Sequence, residues 1–142
     1  MSVVAYDFSK HRTAMVERHG HSKEHRDDAW ADLLVILKAI EAQPNKRFAL
    51  TVAADEALHV LLMDTAGHYL FSGAVFGQGN LLVHDPYVYG TPEFIEAWRN
   101  TRGAFTQVGV ELPEEYALGN GPRSPMACYV RVMPIEDLDR AA

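Results

Sequence analysis

The stretch LHVLLMDTAGHYLFSGAVF, residues 58–76, decides the fold that the sequence predicts. It contains two apolar runs, residues 58–63 and 68–76, which are joined by Asp64-Thr65-Ala66-Gly67. Such a link is typical of a hairpin turn, because glycine readily adopts the left-handed backbone that tight turns require. When the two runs are paired, apolar residues lie on both faces, as they do in strands that are covered on two sides. We therefore predict a central antiparallel hairpin.

Outward from this hairpin, further strands are expected where apolar residues alternate with others. This pattern predicts strands at residues 108–112 and 126–132, and short apolar runs predict strands at residues 48–52 and 81–84. Residues 54–56 are expected to form a turn before the hairpin, and residues 77–80 a turn after it. The result would be a meander of neighbouring strands.

Two helices are predicted to cover the sheet. The first begins at the N-cap Ser22 and carries an apolar stripe formed by Trp30, Leu33, Leu34, Leu37 and Ile40. The second begins at Thr91-Pro92 and is expected to stop at Gly103. Trp30 and Trp98 should both be buried. The predicted fold class is α+β, with an antiparallel sheet of about five to six strands and two helices packed on it.

The chain has 142 residues, which is the size of one ordinary domain. We divide it into a basic, His-rich N-terminal arm at residues 1–21, a single α+β domain at 22–134, and a polar tail at 135–142. The arm adds few apolar side chains, so a small contribution to stability is expected of it.

Composition restricts the classes of function. Hydrophobic residues make up 48% of the chain and charged residues 23%, as in a globular protein. No signal peptide or membrane-spanning run is visible, and a lone cysteine, Cys128, fits a reducing compartment, so a cytoplasmic location is expected. The net charge is −6, with the excess of basic residues confined to residues 1–26. Nucleic acid is therefore a disfavoured partner.

The His-rich stretch HRTAMVERHGHSKEHRDD, residues 11–28, is the first candidate for chemistry. His21 and His25 are four residues apart and would share a helix face, and with His19 they form a weak candidate metal site. Flanking Lys and Arg residues oppose a dication there. A solvated arm is the favoured interpretation, and metal or polyanion binding through this arm is one alternative.

Other potentially catalytic residues are less persuasive. His84 and Asp85 form the best acid–base pair, but neighbours on a strand point to opposite faces. Cys128 lies in an alternating apolar strand and is interpreted as a small core residue. No catalytic residue and no cofactor is predicted, and the sequence favours a protein without enzymatic activity.

Two loops are predicted to form a recognition surface. Tyrosines in loops offer a large contact area at a small entropy cost, and acidic residues steer basic partners. The candidate binding residues are Tyr87, Tyr89, Glu114, Glu115, Tyr116 and Arg123. The predicted function is docking on another protein, possibly a basic one, as an inhibitor, immunity-type protein or adaptor, with a homodimer left open. An alternative is a ligand-binding protein or enzyme with a pocket between the sheet and the long loop at 113–125.

Overall fold

The computed structural model describes residues 1–86, 88–114 and 121–138. Over these residues the fold is α+β, with five α-helices and a three-stranded antiparallel sheet. The elements in chain order are α1 (Ser9–Glu17), α2 (Lys23–Ala42), β1 (Phe48–Thr51), α3 (Val52–Met63), α4 (Thr65–Phe76), β2 (Asn80–Pro86), α5 (Pro92–Gln107), β3 (Pro125–Pro134) and a 3-10 turn (Ile135–Asp137). The strand order is β1-β3-β2, so the last strand is the central one.

The predicted central hairpin is wrong, and with it the sheet of five to six strands. Residues 58–63 lie in α3, and residues 68–76 lie in α4. The large apolar residues that remain exposed in these helices are Met63, Tyr69 and Leu70. Because apolar residues therefore lie on the exposed side as well as the buried side, the sequence shows no clear helical period. Asp64 does not turn a hairpin, because its side chain caps α4 by accepting the N–H of Gly67 at 3.1 Å.

The predicted turn at residues 54–56 is also wrong, because these residues form the start of α3. Thr51 ends β1 and caps the helix, with its hydroxyl accepting the N–H of Ala54 at 3.1 Å. Alanine has the highest helix propensity, and α3 buries Ala53, Ala54 and Ala57. This helix start places Asp55 in the first turn of α3.

α5 begins as predicted but ends later than predicted. Thr91 is the N-cap and Pro92 the first helical residue. Gly103 lies inside the helix, which continues to Gln107. The actual stop is Gly109, with φ of 81°. Its N–H donates to Thr106 and that of Val110 donates to Phe105, as in a Schellman motif. Residues 108–112 are therefore not a strand.

Several predicted elements are confirmed. Strands occur at residues 48–51, 80–86 and 125–134, and α2 begins after the N-cap Ser22, which accepts the N–H of His25 at 3.1 Å. Trp30 and Trp98 are both 0% exposed, as expected. α2 packs against α3 and α5, and α4 packs against β2.

The first 21 residues pack onto the rest of the chain. Residues 9–17 form α1, and Val3, Phe8 and Met15 are buried. The ring of Phe8 lies 5.1 Å from that of Trp30 and 5.2 Å from that of Phe71. The segment therefore contributes to the core, although α1 buries too few residues for a periodic pattern to reveal it.

Across the described residues, no helix combines the length and the apolar composition that crossing a bilayer requires. The cytoplasmic location stays a prediction.

Candidate metal centre

Three side chains able to bind a metal ion meet between α3 and the strand pair β2–β3. Asp55 comes from α3, His84 from β2 and Cys128 from β3, and one donor atom of each lies within 4.8 Å of the others. Asp55 and Cys128 are buried, while His84 is partly exposed. We call these three residues the sheet cluster.

The strand register places two of these residues on one face. His84 pairs with Val130, and Pro86 pairs with Cys128, in the antiparallel β2–β3 ladder. Because Cys128 and Val130 are two residues apart, they point to the same face, and His84 shares that face with them. The first turn of α3 contacts this part of the sheet and adds Asp55.

The carboxylate of Asp55 is the centre of the cluster. Nε2 of His84 lies 3.2 Å from Oδ1 of Asp55, and the thiol of Cys128 donates to the same oxygen at 3.4 Å. Nδ1 of His59, one helical turn further along α3, lies 3.7 Å from Oδ2. Burial disfavours the charged carboxylate, but the hydrogen bonds from His84 and Cys128 and the nearby His59 outweigh it. The pKa of Asp55 is therefore lowered.

Cys128 is not arranged as a nucleophile. Burial, together with the neighbouring Asp55, raises the pKa of its thiol, so the thiol stays protonated. Its hydrogen bond runs to Asp55, and the hydrogen bond of His84 runs to the same carboxylate. In a nucleophilic triad the histidine lies between the thiol and the acid, whereas here the acid lies between the other two.

The predicted pairing of His84 with Asp85 does not occur. Asp85 binds Nε of Arg131 at 2.8 Å on the neighbouring strand. The acid partner of His84 is Asp55, which the sequence analysis had assigned to a turn.

A second group of donors lies between α2 and α3 and includes two of the predicted N-terminal histidines. Nε2 of His25 lies 2.6 Å from Oε2 of Glu56, and Nδ1 of His21 lies 3.6 Å from the same oxygen. We call His21, His25 and Glu56 the helix cluster. His19 is not part of it, and instead lines a cavity between α1 and α3.

That cavity has a volume of about 510 Å³. Its lining residues are Lys10, His11, Ala14, Arg18, His19, Val60, Met63 and Asp64. None of them belongs to the sheet or to the loop at 113–125, so this cavity is not the pocket that the sequence analysis considered.

The predicted recognition residues that the structure describes all make internal contacts. The hydroxyl of Tyr89 donates to the carbonyl of Pro125 at 2.9 Å. Glu114 lies 3.4 Å from Arg102, and Arg123 lies 3.2 Å from Asp32. Tyr87, Glu115 and Tyr116 lie outside the described residues. Docking on a basic protein, and a homodimer, stay predictions.

Asp55, Glu56 and His59 are not among the site residues that the sequence predicts. Had residues 52–63 been assigned to a helix, Asp55 and His59 would have been expected on one face, because they are four residues apart. The chain matches no protein-family model, no curated protein and no solved structure. A functional assignment therefore rests on the geometry of the two clusters.

Proposed function

We propose that this protein binds a divalent transition-metal ion of the zinc class through Asp55, His84 and Cys128. The observation that carries the proposal is the convergence of a carboxylate, an imidazole and a thiol from three separate elements. Thiolate, imidazole and carboxylate are the protein ligands of Zn²⁺.

The spacing of the donor atoms supports a tetrahedral ion. Ligands held at about 2.0–2.3 Å from zinc in tetrahedral geometry lie about 3.3–3.8 Å from one another. The observed distances from Asp55 Oδ1 are 3.2 Å to His84 Nε2 and 3.4 Å to Cys128 Sγ. These two distances are close to the tetrahedral spacing, and all three donor atoms lie within 4.8 Å of one another.

The charge of the cluster also favours a dication. Asp55 is buried and ionised, yet among the described residues its ion-pair partners are the histidines His59 and His84, not a Lys or Arg. An imidazole, unlike the side chain of Lys or Arg, can itself bind a metal ion, so these partners are compatible with a dication at Asp55. A dication would neutralise Asp55 together with the thiolate that Cys128 forms on binding.

The fourth ligand is His59 or a water molecule. Nδ1 of His59 is 3.7 Å from Oδ2 of Asp55, and the ring lies 5.9 Å from that of His84. The side chain of His59 is 58% exposed, so the cluster opens to solvent on this side. Structural zinc sites have four protein ligands, whereas an open site keeps water in the fourth position.

Cobalt substitution in untagged protein tests the proposal. Co²⁺ bound to a thiolate gives a charge-transfer band in the near ultraviolet, and Zn²⁺ should displace it. We expect the band in the wild type, its loss in Cys128→Ser, and affinity at least tenfold weaker in Asp55→Asn and His84→Gln. His59→Gln should weaken binding only if His59 is the fourth ligand.

His19→Gln is the matched control, because it removes a histidine outside both clusters and should leave the band unchanged. Circular dichroism would verify that each variant is folded. Absence of the band in folded wild type, or its persistence in Cys128→Ser, would refute the proposed centre.

A further inference from the structure

The helix cluster has no role in the proposed zinc centre, with which it shares no residue. Its three donors come from the end of the α1–α2 connection, the first turn of α2 and the N-terminal half of α3. Each side chain is about one-third exposed, with values of 31% for His21 and His25 and 34% for Glu56. The cluster is therefore open to solvent, unlike the buried acid and thiol of the sheet cluster.

The local backbone holds both histidines in place. The Ser22 hydroxyl accepts the N–H of His25, so His25 is fixed as the third residue of the helix. Gly20 has φ of 75°, a left-handed conformation, and the N–H of His21 then donates to the carbonyl of Met15 at 3.2 Å. These contacts set the two imidazoles side by side, with ring centroids 5.3 Å apart.

Both rings approach one carboxylate oxygen of Glu56. Nε2 of His25 lies 2.6 Å from Oε2, and Nδ1 of His21 lies 3.6 Å from the same oxygen, which is beyond hydrogen-bond distance. Two imidazoles and a carboxylate around an open position form a known donor set for zinc. Binding requires the His25–Glu56 contact to open by about 1 Å, toward the ligand spacing of a tetrahedral ion.

The basic residues nearby do not all point at the cluster. Nε of Arg26 lies 3.0 Å from Oδ1 of Asp27, and Arg12 reaches the same oxygen at 2.9 Å. Asp27 thus pairs with both arginines and offsets one of their two positive charges. The positive charge that opposes a dication at this cluster is therefore smaller than the composition of residues 11–28 suggests.

From these observations we infer that His21, His25 and Glu56 form a second metal site, which binds Zn²⁺ with two nitrogens and one oxygen and leaves a position for water or an external ligand. The ion would join the start of α2 to α3. Because the site contains no thiolate, Co²⁺ bound there would give no charge-transfer band.

Zinc stoichiometry and the cobalt band, measured on the untagged full chain, test the inference together. We expect the wild type to take up two Zn²⁺ per chain. His25→Gln and Glu56→Gln should each lower this to one while the cobalt band remains. Cys128→Ser should lose the band and retain the zinc that depends on His25 and Glu56.

The inference and the proposed zinc centre can fail separately. Zinc uptake of one per chain, with no cobalt band and with loss in Glu56→Gln, would support the helix cluster and refute the sheet cluster. Uptake unchanged in both His25→Gln and Glu56→Gln would overturn the helix cluster. So would an equal loss in His19→Gln, since His19 lies outside it. Glutamine is isosteric with glutamate and similar in size to histidine, and a thermal melt would verify folding.

Discussion

At the scale of single residues, Asp55 organises the sheet cluster. It is buried, and its hydrogen bonds come from an imidazole and a thiol on two different strands. Its lowered pKa means that it is ionised before any metal arrives. Cys128 differs, because its pKa is raised by burial and by Asp55, and its thiol must lose a proton to bind an ion.

This difference predicts that zinc binding at the sheet cluster releases a proton from Cys128. Because the pKa of the thiol lies above its usual value, the thiol is protonated at neutral pH. Zinc affinity at this site should then rise about tenfold per pH unit. Calorimetry in buffers with different ionisation enthalpies would measure the protons released. The proton released by Cys128 should be absent in Cys128→Ser. An unchanged number of released protons in that variant would contradict the assignment of Cys128 as a zinc ligand.

At the scale of elements, Gly109 and not the predicted Gly103 ends α5. Gly103 lies within the helix, where a glycine is unfavourable, and Gly109 holds the left-handed position after it. A Cβ added at either position would meet no atom within 4 Å. Their difference is therefore one of backbone conformation alone.

We accordingly expect opposite effects from the same substitution. Gly103→Ala should stabilise the protein by about 0.5–1 kcal/mol, since alanine is the better helix former. Gly109→Ala should destabilise it by about 1–2 kcal/mol, because a Cβ is disfavoured in the left-handed region. Urea denaturation of both variants measures this. The reverse order of stabilities would mean that α5 stops at Gly103 after all.

At the scale of the whole molecule, the N-terminal segment completes the core. Phe8 contacts Trp30 of α2 and Phe71 of α4, and so connects these two helices. Tyr6 lies beside Phe8 and Phe71, with its ring centroid 5.0 Å from each. The segment is thus an integral part of the folded core.

Phe8→Ala should therefore lower the free energy of unfolding by about 3–5 kcal/mol, as large truncations in a core do. The matched control is Val4→Ala in the same segment, because Val4 is 72% exposed. Its effect should stay within about 0.5 kcal/mol. Thermal or urea unfolding of the two variants would measure the difference. If both substitutions changed the free energy of unfolding by the same small amount, residues 1–21 would be a solvated arm.

The sequence by itself determined the elements whose signals are local. The caps Ser22 and Thr91 fixed where α2 and α5 begin, because a capping side chain bonds backbone groups only two or three residues away. Alternation of apolar with other residues identified β3, and a short apolar run that ends at Asp85-Pro86 identified β2. The burial of Trp30 and Trp98 followed from the helical stripes on which they lie.

Only the tertiary structure decided α3, α4 and both metal-ligand clusters. The residues of α3 and α4 are apolar in nearly every direction, so their period is hidden and packing against α2 and β2 selects the helix. His84 and Cys128 share a face because β2 pairs with β3 in one register, and Asp55 joins them because α3 is a helix. Such contacts between distant residues depend on register and packing, which local sequence patterns do not specify.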